Sequence, residues 1–363
     1  MRKRAFAMVL AGMMALSLGA CGGQGSPAPA SSGAGEGAAA GAGGAGQEAA
    51  GAAAAAPAGD GKAFKLATDA ALDYPTTMAL QSFADEVKEK TDGRIAITIY
   101  PSAQLGDENA YLQQLQFGAV DFAKSSVAPL AQFCDDLNAL SLPYLFDSTE
   151  HMFRCLDGPI GEEIFASFEA ANIVGLGFTD NGSRCFFTKT PVQKAGDLAN
   201  KKIRVQSSPL MLGMVEGLGG FPQAIASTEL YSALQTGIVD GAENNINTYA
   251  GDSLYEQAPY FIYDHHNIQP EIIIASKKTW DGLSAEDRAI IQTAMDNAMA
   301  YQKELWAERE KSSEDMLKEA GVTFYTPTEE ELAGFREKCQ GIYEDEKLGK
   351  PYEAFVAKVR AVE

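Results

Sequence analysis

From residue 64 onward, short apolar runs alternate with amphipathic stretches, the rhythm of βαβ units. Residues 64–67 read as a strand and 74–90 as a helix. A second strand, 94–100, is bounded by Asp92-Gly93 and Pro101. Residues 107–117 then show helical spacing with Leu112 and Leu115 apolar, and Gly118 stands where a C-terminal cap belongs. The strand expected next, 119–123, would deliver Lys124, Ser125 and Ser126 to its carboxyl end. About a hundred residues on, Gln235-Thr236-Gly237-Ile238-Val239-Asp240-Gly241-Ala242 repeats the QxGxVDxA pattern of Gln116 to Ala123. In both copies a strand precedes the helix, 95–100 in one and 203–206 in the other, so the pattern predicts two α/β lobes of related design.

After His266 the run 271–276 reads as one more strand, and 284–319 as a long helix with Ser284 as its N-cap, placed to bridge the lobes. In open α/β sheets ligands sit outside the carboxyl ends of the strands. That puts Ser125 and Ser126 opposite Glu243, Asn244 and Asn245, short polar side chains suited to reading hydroxyls and carboxylates. The same residue types also serve turns with no ligand present.

The first 61 residues have a different character. Arg2, Lys3 and Arg4 precede an apolar run from Ala5 to Leu18, the size of a secretory signal core. Residues 22–61 are almost wholly Ala and Gly with a few Ser, Pro and Gln, too poor in large apolar side chains to offset the entropy of ordering, and read as a flexible tether. The 363 residues carry 49 acidic and 29 basic side chains. Residues 1–21 hold +3 and residues 22–61 hold −3, so the net charge of −20 belongs to the remainder. That charge argues against a nucleic-acid partner. Three histidines and five cysteines without CxxC or HExxH spacing give no zinc pattern, and no metal or other cofactor is expected. GxSxG, SxxK and P-loop motifs are absent too, which argues against an enzyme.

The segments TDGRIAITIYPSAQLGDENAYLQQLQFGAVDF (91–122), SLPYLFDSTEHMFRCLDGPIGEE (141–163), NGSR (181–184), DLANKKIRVQSSP (197–209), ELYSALQTGIVDGAENN (229–245) and SKKTWDGLSAEDR (276–288) resemble the extracytoplasmic solute-binding proteins of tripartite ATP-independent periplasmic (TRAP) transporters, dicarboxylate-binding type. The resemblance implies a two-lobed type II binding-protein fold with hinge strands and a long interlobe helix. It also implies a carrier that closes on an organic acid and hands it to a sodium-coupled permease. The expected lobes are 62–181 with 271–308, and 182–270 with 309–363, in a monomer. Leu18-Gly19-Ala20-Cys21 resembles a lipobox, which would make residues 1–21 a lipoprotein signal and Cys21 the lipidated membrane anchor of an exported protein, on the outer face of the cytoplasmic membrane or in a periplasm.

Residue by residue, Arg204 stands at the family's carboxylate-binding arginine and Arg184 at a second one. A guanidinium pairs bidentately with a carboxylate and stays charged. Read from the residues alone, either arginine could instead form an internal salt bridge to Asp180, Asp197 or Glu229. Asn244 and Glu108 match polar ligand contacts, and Ser126, Asn245, Gln206 and Asp73 join them as candidates. The stretch AKSSVAPL, the doubled asparagine and Asp264-His265-His266 look most like members taking sugar acids such as hexuronates; a four-carbon dicarboxylate, or a sensory role presenting the ligand to a receptor, is the alternative. Ser227 replaces the phenylalanine of sialic-acid binders, and Asp73-Tyr74-Pro75 replaces a more usual His-Pro. Tyr74, Phe178, Phe187 and Tyr249 could stack on a sugar ring or belong to the core. Cys134, Cys155, Cys185 and Cys339 allow three disulfide pairings, none chosen by spacing.

Overall fold

A computed structural model of the chain describes residues 57–59 and 61–362. The signal, Cys21 and nearly all of the tether lie outside the described residues. The first stretch runs β1 (Lys62–Ala67), α1 (Pro75–Lys90), β2 (Ile95–Tyr100), α2 (Glu108–Phe117), β3 (Phe122–Ser126), α3 (Val127–Ala131), α4 (Thr149–Leu156), α5 (Pro159–Ser167) and β4 (Ile173–Thr179). The second runs β5 (Ser183–Thr188), β6 (Lys202–Val205), α6 (Pro209–Gly217), β7 (Phe221–Ala224), α7 (Leu230–Gln235), β8 (Gly241–Asn244), α8 (Ile246–Gly251), β9 (Tyr260–Ile262) and β10 (Asn267–Ile268). The chain finishes with β11 (Glu271–Ser276), α9 (Lys277–Asp281), α10 (Ala285–Glu319), β12 (Thr323–Tyr325), α11 (Glu329–Glu344) and α12 (Glu353–Arg360).

Two sheets result. One has the order β2-β1-β3-β11-β4, with β1 parallel to β2 and β3, and β11 antiparallel to both its neighbours. The other runs β12-β9-β5-β8-β6-β7, with β10 paired to β5. Its β6 lies parallel to β7 and β8, while β5 runs antiparallel to β8 and β9. This is the two-lobed α/β architecture expected from the pattern.

The repeated QxGxVDxA segment has the same job in each lobe. Gly118 (φ 72°) and Gly237 (φ 75°) end their helices in the left-handed region, where a side chain would be strained. Val120 and Val239 are then buried. Asp121 accepts from the Lys65 amide at 2.8 Å, and Asp240 accepts from the Lys202 amide at the same distance. Each aspartate thereby pins the start of its strand to the neighbouring one. Because residues 119–121 are spent on this turn, the first-lobe strand occupies 122–126, not 119–123, and Lys124 to Ser126 lie within it.

The chain passes between the sheets at residues 180–182 and 269–270, and again along α10. Gln302, buried midway along α10, satisfies both backbone groups of Asp180: its Nε2 donates to the Asp180 carbonyl (2.7 Å) and its Oε1 accepts from the Asp180 amide (2.9 Å). At 35 residues the helix is about 50 Å long. Ile291, Met295 and Ala298 pack on α1 and the first sheet, and Leu317 joins the core around Phe187, Tyr249 and Phe261. Ser284 caps it, accepting from the Asp287 amide at 3.0 Å. The C-terminal segment returns to residues 143–163, where Tyr343 donates to the Pro143 carbonyl (2.7 Å) and Lys358 to Glu163 (2.8 Å).

Candidate functional site

The cleft between the sheets encloses a cavity of about 320 Å³, within the range of small-molecule sites. The second-lobe wall is built by three adjacent strands: β5 supplies Arg184, β8 supplies Glu243 and Asn244, and β6 supplies Arg204 with Gln206 just beyond its end. The two arginines differ in their partners. Arg184 donates through Nη2 to Glu243 Oε1 (2.9 Å) and to the Glu243 carbonyl (3.0 Å), and through Nε to Glu243 Oε2. Behind it, His266 bridges Glu243 (3.4 Å) and Asp264 (2.8 Å), and Asp264 accepts from the Phe186 amide (3.0 Å). Burial alone would raise the Glu243 carboxyl, yet Arg184 and His266 hold it down to about 2. Burial would likewise lower His266, but Asp264 and Glu243 raise it to about 9. Arg184, Glu243, His266 and Asp264 thus form an internally neutral network.

Arg204 has no such partner. It is 1% exposed, its Nε donates to the Ile225 carbonyl at 2.8 Å, and among the described residues no carboxylate lies within ion-pair distance. Burial lowers its pKa to about 10, partly countered by the charge of Glu243. A buried guanidinium without a counter-ion is a site for an anion.

The first-lobe wall is different in kind. Lys124 on β3 pairs with Asp69 (2.6 Å) and Glu271 (2.7 Å) and stands 3.8 Å from Glu108. Glu108 also accepts from the Ser126 amide at 2.7 Å. Burial and then the charge of Asp69 push Glu108 up to about 7, and the same causes push Asp252 to about 6. Two buried acceptors on the cavity, Glu271 Oε2 and Gln206 Oε1, have no hydrogen-bond partner among the described residues. Two hydrogen bonds span the cleft: Tyr74 Oη to Thr248 Oγ1, and Ser227 Oγ to Asp69 Oδ2, both at 3.0 Å.

Of the residues singled out from sequence, Arg204, Arg184, Asn244, Ser126, Gln206, Asp73 and Tyr74 line this cavity, and Glu108 lines a smaller one that shares Arg204. Asp73 is at the rim, 75% exposed and 3.6 Å from Arg309. Of the aromatics that could stack on a sugar or belong to the core, three belong to the core, which removes the site candidates Phe187 and Tyr249. Phe187 and Tyr249 pack on each other and on Phe261 inside the second-lobe core, with Tyr249 donating to the Ala258 carbonyl. Phe178 stacks on Phe165. None of the three lines the cavity, because apolar neighbours already cover their faces. Asn245 does not line the cavity either: it caps α8 by accepting from the Thr248 amide (2.8 Å) and donates to Asn181 (2.8 Å), which does line it. The salt-bridge partner of Arg184 is Glu243, and not Asp180, Asp197 or Glu229. Cys134, Cys155, Cys185 and Cys339 are free and buried.

Sequence reasoning missed Asp69, Lys124, Glu271, Asp252 and Thr248 as cavity residues. The available signal was position: Asp69 and Glu271 flank strand ends at the cleft edge, and Lys124 shares a strand face with Ser126.

Residues 66–348 match the model of the family described as bacterial extracellular solute-binding protein, family 7. The chain belongs to this family. Among its relatives, a solute-binding protein of Chromohalobacter salexigens is 36% identical over 272 residues, 75% of this chain and 80% of the relative. A TRAP periplasmic solute-binding protein of Xanthobacter autotrophicus, solved with bound β-D-galacturonate, is 34% identical with a TM-score of 0.78, covering 83% of this chain and 100% of that one. A Citrobacter koseri member, 32% identical, has been solved twice. The form with bound D-glucuronate superposes at a TM-score of 0.77 (83% of this chain, 99% of that one), the apo, open form at 0.72 (82% and 99%). The better fit to the liganded form agrees with the two hydrogen bonds across the cleft: this family 7 protein is in its closed arrangement.

Proposed function

We propose that this extracytoplasmic TRAP solute-binding protein captures a hexuronate and delivers it to a membrane permease. The lobes that close are 62–181 with 271–308 and 182–270 with 309–344, while α12 docks on the first lobe, where Lys358 pairs with Glu163 and His151 meets the Val359 carbonyl. The observation that carries the reading is the contrast between the two walls. Arg204 is the one cleft arginine whose charge no carboxylate answers, so it takes the ligand carboxylate. Opposite it, Asp69, Glu108 and Glu271 surround a single lysine; Glu271 Oε2 on that wall and Gln206 Oε1 beside Arg204 have no donor among the described residues. A sugar acid meets both demands, with one carboxylate for Arg204 and hydroxyl donors for the acceptors. Succinate would set its second carboxylate against three acidic side chains and bring no donor, and malate would bring a single one. The uronates bound by the Xanthobacter and Citrobacter proteins support the same choice. Arg184, Asn244, Ser126 and Tyr74 complete the contacts, with Arg184 held rigid by Glu243.

Cys21 is proposed as the lipid anchor, supported by the lipobox-like Leu18-Gly19-Ala20-Cys21 and the Ala/Gly-rich stretch behind it. A thermal-shift panel of hexuronates, aldonates, succinate, malate and sialic acid tests the ligand assignment, since a ligand that binds only the folded state raises its melting temperature. A shift with D-glucuronate or D-galacturonate supports it; a shift confined to succinate or malate refutes it.

A further inference from the structure

Arg204 stands between two cavities. Beyond it, away from the main cavity, lies a second one of about 200 Å³, lined by Glu108, Asn109 and Pro129 on the first lobe and by Ser207 and residues 224–226 on the second. Arg204, Gln206 and Ser227 border both. Ser227 at this border is small and donates across the cleft to Asp69 (3.0 Å), and Gln206, 7% exposed, brings an Oε1 with no hydrogen-bond partner among the described residues to the same junction.

The chemistry of a hexuronate says what could enter. Its carboxyl carbon is attached to C5, whose ring neighbours are C4 and the ring oxygen. The ring oxygen carries no substituent. With the carboxylate on Arg204 and the ring in the main cavity, O4 is therefore the substituent position beside the arginine. We propose that the second cavity is a subsite for an uncharged group on O4, so that the protein accepts 4-O-substituted hexuronates as well as the free sugar acid. This rests on the hexuronate reading above. The acidic lining from Asp107 and Glu108 selects against a second carboxylate there.

Titration calorimetry on the full chain with D-glucuronate, 4-O-methyl-D-glucuronate and a 4-O-linked digalacturonate tests the subsite. The expected result is 4-O-methyl-D-glucuronate binding within threefold of D-glucuronate, and digalacturonate at least tenfold more weakly. Asn109→Trp, which fills only the second cavity, should weaken the 4-O-methyl acid tenfold or more and leave D-glucuronate within threefold. Ser207→Trp fills it from the opposite wall and should act alike, covering the case in which the first variant does not fold. Rejection of the 4-O-methyl acid by a wild-type protein that holds D-glucuronate overturns the subsite and leaves the hexuronate reading standing. Equal weakening of both acids by the tryptophan variants also overturns it. Failure of D-glucuronate and D-galacturonate alike to bind overturns the reading and the subsite together.

Discussion

Arg204→Ala separates a ligand-binding arginine from a structural one. The side chain is 1% exposed, its Nε donates to the Ile225 carbonyl, and among the described residues no carboxylate lies within ion-pair distance. Burial takes its pKa from 12.5 to about 10. At about 1.4 kcal/mol per pH unit, the closed cleft holds the charged guanidinium at a cost of about 3 kcal/mol. A ligand carboxylate relieves that cost and gains a bidentate pair, and removing one partner of a buried charged pair costs about 2–5 kcal/mol. We therefore expect the Kd for D-glucuronate to rise roughly 100-fold or more. The melting temperature of the ligand-free protein should hold or rise, because the alanine breaks no ion pair within the fold. Titration calorimetry reads the first effect and scanning calorimetry the second. A Kd within threefold of wild type, or a ligand-free protein that melts many degrees lower, would refute the reasoning. Arg204→Lys keeps a charge but loses the fork, and should bind about tenfold more weakly.

Arg184→Ala should behave in the opposite way, leaving Glu243 buried without its main partner and costing about 3–5 kcal/mol of stability, a fall in melting temperature on the order of 10 °C in scanning calorimetry. His266 has its folded pKa raised from 6.5 to about 9, so its stabilisation is fully present below pH 6.5 and lost as the pH rises through 9. Denaturant titrations of wild type and His266→Gln should converge in stability as the pH is raised across that window; a constant gap would show that His266 is not protonated in the fold. Tyr74→Phe removes a hydrogen bond made across the closed cleft, and should weaken ligand binding about fivefold while leaving the ligand-free melting temperature within a degree or two. Burial pushes the thiols of Cys134 and Cys339 up to about 12, so thiol reagents should label Cys134, Cys155, Cys185 and Cys339 in denaturant and not in the native protein.

Much of this arrangement could be read before any coordinates. The repeated QxGxVDxA motif marks two helix-to-strand turns because its glycine and aspartate have local duties, a left-handed cap and a bond to the next strand. Ser284 and the periodicity after it mark α10 for the same reason. What escaped was long-range. Read from the residues alone, Arg204 and Arg184 are equivalent, and only the family resemblance ranks Arg204 first, since the partner that neutralises Arg184 lies 59 residues away on a strand paired with its own. Lys124 looked like part of a turn until the strand register placed it beside Asp69 and Glu271. Phe187 could have been excluded by alternation: Arg184 and Phe186 share one face of β5, and Phe187 takes the other, toward the second-lobe core. Tyr249 faces that core from the adjoining helix, which no local pattern announces.

The central claim is that the cleft takes one carboxylate at Arg204 and hydroxyl donors opposite. Titration of D-glucuronate, D-galacturonate and succinate into the same protein sample tests it most directly. Saturable one-to-one binding of at least one uronate, at least a hundredfold tighter than succinate, is the expected outcome. Succinate binding as tightly as either uronate would show that the acidic first-lobe wall does not read hydroxyls.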